Sequence, residues 1–142
     1  MVASELICSY FAGFYEGEGY VSNDKSNNNR MRVGIDQNDP TPLHLACSIW
    51  GGTVRKRTRK SPASEKICVC YTWRISHNKA LIFFSDIEQY MRIPYKINQM
   101  NKAKEIAAKG LKRRFQCNFC SNTYANPSGR RRHEKKSHIN SN

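Results

Sequence analysis

Two hydrophobic periods alternate along the chain. From Ser4 to Glu16 apolar residues recur at helical spacing, with Leu6, Ile7, Tyr10, Phe11 and Phe14 on one broad stripe and Ser4 placed to cap. Tyr20 to Lys25 then reads as a strand, Ser26-Asn27-Asn28-Asn29 as a hairpin turn, and Arg30 to Gln37 as the returning strand. In that strand Met31, Val33, Ile35 and Gln37 alternate with Arg30, Arg32, Gly34 and Asp36. Asp39-Pro40 starts a second helix through Leu43, Ala46, Cys47 and Trp50, which Gly51-Gly52 stops. A second hairpin follows, with arms Thr53 to Lys60 and Ile67 to Ile75 around the loop Ser61-Pro62-Ala63-Ser64. Ile67, Val69, Tyr71, Trp73 and Ile75 share one face of it, Cys68, Cys70, Thr72 and Arg74 the other. Asn78 to Met91 predicts a third helix, broken by Pro94, and Tyr95 to Lys109 a fourth, with Gly110 as its stop. Helix, hairpin, helix, hairpin, helix, helix predicts the α+β class: an antiparallel sheet with helices on one face. Residues 111–142 differ in composition, so two domains are expected, 1–110 and 111–142.

Charge then narrows the partners. Lys and Arg number 24 against 11 Asp and Glu, a net charge of +13, which favours nucleic acid over an anionic membrane. The basic residues segregate. With helices covering the Val33, Ile35, Tyr71 and Trp73 side, the open side carries Arg30, Arg32, Arg55, Arg57, Arg59 and Arg74. Like charges in register repel across a sheet, so stability does not explain them. Strands laid in a major groove would present such arginines to guanine and the lysines to phosphates. A solubilising surface or a guard against sheet-to-sheet pairing is the alternative.

Other classes fall away. No run approaches the roughly 18 apolar residues of a membrane span, and the basic-then-apolar order of a signal peptide is missing. An intracellular protein is expected, not a secreted one. Cys117 and Cys120 form a CxxC pair with histidines downstream, while Cys8, Cys47, Cys68 and Cys70 are scattered. That pattern fits reduced thiols plus a metal site better than a disulfide framework. The scattered cysteines read as small apolar fillers or groove contacts, and His44 and His77 as surface or helix-start residues.

Two acids sit where nothing local favours them. Glu16 and Glu18 end the first helix beside Gly17 and Gly19, at a pole whose partial negative charge disfavours carboxylates. A divalent metal between carboxylate and phosphate would remove the conflict in a basic protein. Solvated acids at a surface helix end are the bland reading.

The segment Phe11-Ala12-Gly13-Phe14-Tyr15-Glu16-Gly17-Glu18-Gly19 resembles the LAGLIDADG motif of homing endonucleases, and the αββαββα order resembles that family's repeat. The resemblance spans about residues 4–108 and includes Ile35-Asp36-Gln37-Asn38-Asp39, Gly51-Gly52-Thr53-Val54-Arg55-Lys56-Arg57, Tyr71-Thr72-Trp73-Arg74-Ile75-Ser76 and Met91-Arg92-Ile93-Pro94-Tyr95-Lys96-Ile97-Asn98-Gln99. It implies a saddle-shaped DNA endonuclease. Glu18 matches the acid that binds catalytic Mg2+ (or Mn2+), and the Gly17 carbonyl an accompanying contact. Gln37 matches a water-ordering glutamine, Lys96 an active-site lysine, and Arg55 and Arg57 base-contacting positions. Thr41 stands where a second pocket cation is usual. The implied DNA surface is Arg30, Arg32, Arg55, Arg57, Arg59, Thr72 and Arg74. With one motif per chain, a homodimer is implied that packs two motif helices through Phe11, Ala12, Gly13 and Tyr15 and favours a pseudo-palindromic duplex. A non-cleaving regulator or an RNA splicing factor (a maturase) on the same scaffold is the alternative.

Cys117, Cys120, His133 and His138 have the spacing C-x2-C-x12-H-x4-H. Two thiolates and two imidazoles so spaced predict a tetrahedral zinc site. The segment resembles a C2H2 zinc finger, with Phe115 and Tyr124 at its aromatic core positions and Arg130 where an aliphatic residue is usual. That likeness implies base contacts from Asn126, Gly129 and Arg132; Arg130, Arg131, Lys135 and Lys136 read as contacts to phosphates or solvent, and Lys109 to Arg114 as a basic tether. A disordered basic tail is the alternative. A finger points to a nucleus or a virus of eukaryotes, the nuclease family also to organelles.

Overall fold

In the computed structural model residues 3–112 and 114–139 are described. Helix α1 (Glu5–Glu18) opens on Ser4, whose hydroxyl accepts from the Ile7 amide at 3.3 Å. It feeds directly into β1 (Gly19–Asp24). A short 3-10 turn, Lys25–Asn27, then reverses the chain. Asn28 and Asn29 both adopt left-handed φ there, a conformation asparagine tolerates better than most residues. Strand β2 (Arg30–Gln37) returns, α2 (Thr41–Trp50) crosses, and β3 (Thr53–Lys60) and β4 (Ile67–Ser76) form the second hairpin. Helix α3 (His77–Ile87) ends in a 3-10 turn at Glu88–Tyr90, and α4 (Pro94–Lys112) follows.

The protein is therefore α+β. Its four strands form one antiparallel sheet in the order β1-β2-β4-β3. Helices cover one face. Val33, Ile35, Trp73 and Ile75 of the sheet meet Phe11, Tyr15, Leu43, Trp50, Phe83, Phe84 and Ile87 of the helices in one continuous core. Trp50, Trp73 and Phe83 pack edge to face or tilted, with Phe83 centred 4.9 Å from Trp50 and 5.2 Å from Trp73. Both indole N–H groups are satisfied, by Asp86 Oδ2 at 2.8 Å and by the Gly51 carbonyl at 2.9 Å, as burial requires.

Four expectations are corrected. The buried stripe of α1 is Cys8, Phe11, Ala12, Tyr15 and Glu16, turned from the expected one, so Leu6 is 81% and Tyr10 52% exposed. Ile67 and Val69 share the core-side register of Trp73 but are exposed, being at the far end of a hairpin that outruns the helices. Gly110 does not stop α4, which runs on to Lys112 across the expected domain boundary. A side chain at Gly110 would meet the Asn28 carbonyl at 2.0 Å. Glycine is there so that helix and hairpin can touch, not to end the helix. Pro94, expected as a breaker, is the first residue of α4, where its missing N–H costs nothing.

Past α4, β5 (Phe115–Gln116) pairs with β6 (Thr123–Tyr124), and α5 (Pro127–Glu134) continues into a π-helical turn, Lys135–Ile139. Arg113, within the expected basic tether, lies outside the described residues.

Candidate nucleic-acid interface and metal centres

Cross-strand partners point to the same side of a sheet, so the register places the arginines. Arg74 pairs with Gly34 and Thr53, Arg55 with Thr72, Arg57 with Cys70, and Arg59 with Cys68. Arg32 pairs with Ser22 and Ser76, and Arg30 with Asp24. All six arginines thus occupy the face opposite Val33, Ile35 and Trp73. At one end Arg30, Arg32, Arg55 and Arg74 line a groove of about 560 Å³ together with Lys79, Asn78 and Thr53, with no acid among the described residues that line it. Lys79 escapes a strand-by-strand reading because it belongs to α3. Its ammonium lies over Gly51, 2.9 Å from where a Cβ would stand.

Several groups on this face hold one another. Arg32 pairs with Asp24 at 2.5 Å. The Ser26 hydroxyl donates to the same carboxyl at 2.6 Å, and with Arg32 it holds Asp24 below the usual carboxylate range. Tyr20, unnoticed in the sequence, lies across Gly34: a Cβ there would stand 2.4 Å from its ring. Its hydroxyl accepts from Arg74 Nε at 3.4 Å. Thr72 is a correction. It is buried beneath its neighbours, and its hydroxyl donates to Asp36 Oδ1 at 2.7 Å, so it supports the face instead of contacting a ligand.

The two acids of α1 separate completely. Glu16 is buried, and its Oε2 accepts from the backbone amides of Arg92, at 2.8 Å, and Ile93. Those amides precede α4, so Glu16 anchors that helix. Glu18 is the last residue of α1 and exposed. The spacing already held the distinction: residues two apart lie on opposite sides of a helix, and Glu16 extends the stripe of Cys8, Ala12 and Tyr15. Gly17 and Gly19, on either side of Glu18, both lack positive φ, so the backbone makes no left-handed turn there. Gly19 is extended, and its missing Cβ makes room for the Tyr15 ring.

Lys96 donates to the Gly19 carbonyl at 2.6 Å and its ammonium lies 5.7 Å from the centre of the Tyr15 ring. It is therefore beside the residue that follows Glu18. The Tyr15 hydroxyl is buried without a hydrogen-bond partner, and burial drives its pKa upward. Gly19 pairs with Ile35, so β2 reaches Gln37 at the same end of the sheet as Glu18. Gln37 Oε1 accepts from the Asn38 amide at 2.8 Å, which leaves its NH2 as a donor. Thr41 begins α2, its amide bonded to Asp39 Oδ1 at 2.8 Å.

Phe11, Ala12 and Tyr15, expected at a subunit interface, are wholly buried within the chain; only Gly13 of that set is on the surface. The surface stripe of α1 is Leu6, Ser9, Tyr10, Gly13 and Gly17. Nothing lies within 4 Å of where side chains at Gly13 and Gly17 would begin.

Oxygen donors at Glu18 and Gly17 suit a hard divalent cation. The Gly17 carbonyl belongs to the last turn of α1, whose carbonyls the helix leaves unpaired. Glu18 is one acid alone: among the described residues only Cys117, Cys120, His133 and His138 gather three or more candidate ligands. Their ligand atoms all lie within 4.8 Å of one another. His133 Nε2 is 3.2 Å from Cys120 Sγ and 3.1 Å from His138 Nε2. Two sulfurs and two imidazole nitrogens so converged could hold a metal ion and suit zinc. Residues five apart diverge on an α-helix, and the π-helical turn Lys135–Ile139 brings His138 back to the face of His133. The Phe119 amide donates to Cys117 Sγ at 3.4 Å.

Arg130 and Glu134 fill the space behind the ligands. Glu134 is buried, accepts from the Asn118 amide at 2.9 Å and pairs with Arg130 Nε at 3.6 Å. Asn126, expected to read bases, caps α5, its Oδ1 accepting from Gly129 at 2.7 Å. Arg132 is exposed. His77 starts α3 as expected but is buried, and burial with the nearby Arg30 lowers its pKa. Among the described residues no helix is long and apolar enough to cross a membrane. No known protein family matches the sequence, and no curated protein matches it either.

Proposed function

We propose that the chain is a homodimeric, site-specific DNA endonuclease of the LAGLIDADG type with a C-terminal zinc finger. The observation that carries this reading is the arginine face of the sheet, together with Glu18 at the end of α1, Lys96 beside Gly19 and Gln37 at the end of β2, supplied by three separate elements. Two copies meeting through Leu6, Tyr10, Gly13 and Gly17 would set two saddles along one duplex and two Glu18 side chains near the two-fold axis. Close helix approach needs small residues, and Gly13 and Gly17 supply them. The assembly favours a pseudo-palindromic site.

In this reading Glu18 and the Gly17 carbonyl hold Mg2+ (or Mn2+), which when bound activates water and screens the phosphate oxygens. Gln37 donates its amide to order that water. Lys96 keeps one hydrogen on Gly19 and offers its other two to the charge developing on the scissile phosphate. Arg55, Arg57 and Arg59 face bases, while Arg30, Arg32, Arg74 and Lys79 hold backbone at the flank. Zn2+ on Cys117, Cys120, His133 and His138 fixes the finger, whose Arg132 adds a contact outside the central site.

The test is selection from a randomised duplex library in Ca2+ and in Mg2+. Enrichment in both, with cuts only in Mg2+, is expected, and Glu18→Gln is expected to abolish cutting while keeping binding. Enrichment without Mg2+-dependent cuts would reject the nuclease. Thr41 favours the second reading, a non-cleaving regulator or maturase, because a hydroxyl there supplies no positive charge to the pocket.

A further inference from the structure

One acid stands among the arginines near the middle of the sheet. Asp36 shares a cross-strand row with Thr72 and Arg55, and so faces the same side as the arginines. Thr72 is buried below it and donates to its Oδ1 at 2.7 Å, which fixes the carboxylate; among the described residues no hydrogen bond engages its Oδ2. With Arg57, Arg59, Thr58 and Cys70 it lines a niche of about 260 Å³. Among the described residues no ion pair engages Asp36, Arg55, Arg57 or Arg59. Acid and arginines are held side by side without neutralising one another.

Such a carboxylate repels phosphate and weakens binding to any duplex, so beyond holding Thr72 it serves a duplex interface by discrimination. An ionised carboxylate only accepts hydrogen bonds, and a guanidinium only donates them. In the major groove cytosine N4 and adenine N6 present hydrogens; guanine O6 and N7 present acceptors that suit arginine. An acceptor beside a donor complements the edge of a G·C pair: cytosine N4 to the acid, guanine O6 and N7 to the arginine. An A·T pair would leave Arg57 facing only the single O4 acceptor of thymine.

We infer that Asp36 is a specificity-determining residue that accepts from cytosine N4 while Arg57 reads the paired guanine, once in each half-site. The inference rests on the duplex-binding reading above. It is tested by selecting duplexes in Ca2+ with the full chain and with Asp36→Asn and Asp36→Ala. The wild-type protein is expected to select cytosine opposite guanine at one position per half-site. Asp36→Ala is expected to relax that position alone, by roughly 5- to 150-fold in discrimination, while binding random duplex more tightly. Asp36→Asn keeps an acceptor for Thr72 but turns a donor NH2 toward the groove, and is expected to exchange cytosine for a base that presents an acceptor there, a gain that misfolding cannot imitate. Unchanged preferences in both variants, or a loss spread evenly over the site, would overturn the inference and leave the interface intact. A wild-type protein that selects no duplex overturns both.

Discussion

The sheet domain and the C-terminal unit are built on opposite principles. In the first, Phe11, Tyr15, Trp73, Phe83 and Phe84 are fully buried in one apolar cluster, in which both indole N–H groups are satisfied and the Tyr15 hydroxyl is not. In the second, the residues buried among those described are Cys117 and Glu134, a ligand and an acid. Its segment of about 25 residues has too little apolar surface to offset chain entropy. The first is stabilised by area removed from water, whereas the second brings four candidate metal ligands within 4.8 Å of one another. The contrast implies that the two respond to different insults.

The largest effect expected is on the C-terminal unit. Structural zinc supplies about 10–16 kcal/mol in comparable small units, so chelation is expected to collapse residues 114–139 in amide NMR spectra. Both tryptophans of the chain, Trp50 and Trp73, lie in the sheet domain, and their fluorescence is expected to stay unchanged. A joint loss of both signals would break the comparison. Next, Phe83→Ala removes the ring at the centre of the aromatic cluster and is expected to cost the sheet domain about 3–5 kcal/mol in denaturant titrations. The metal affinity of the C-terminal unit is expected to be untouched.

Gly110→Ala gives a smaller effect of informative sign. Helix propensity alone favours alanine by about 1 kcal/mol, but the Cβ would meet the Asn28 carbonyl at 2.0 Å. A net loss of roughly 1–3 kcal/mol is expected, as for other overpacked contacts. A more stable variant would show that helix and hairpin can part without cost. The smallest effect is that of His77, whose pKa burial holds below its ordinary 6.5. Above that value neither state is protonated and the folded state keeps its full stability. Below it the unfolded chain takes up a proton that the folded chain refuses, so stability falls as pH drops from 7 to 5. His77→Gln is expected to flatten that slope when tryptophan fluorescence is followed, which leaves His133 and His138 out of the readout.

Alternation and turn residues made the hairpins legible, and the facing of Arg55, Arg57 and Arg59 followed from period two alone. Helix orientation was harder. Leu6 and Tyr10 look like core residues because α1 is apolar nearly all round, and only contact with Phe83, Phe84 and Trp50 decides which side is covered. Gly110 misled because a glycine that admits a neighbour and one that ends a helix look alike in sequence. The roles of Thr72 and Asn126 were hidden because a hydroxyl or an amide serves scaffold and ligand with the same chemistry. Lys79 and Tyr20 join the arginine face through long-range packing that no local spacing records.

Glu16 grips the amides just ahead of α4, and Lys96 of α4 reaches back to Gly19 at the end of α1. The two helices are buckled twice, in reciprocal directions, across a gap of more than 70 positions in the chain. Tilting α1 therefore carries the ammonium along with Glu18, and the corner where the two helices meet answers to force as a single piece.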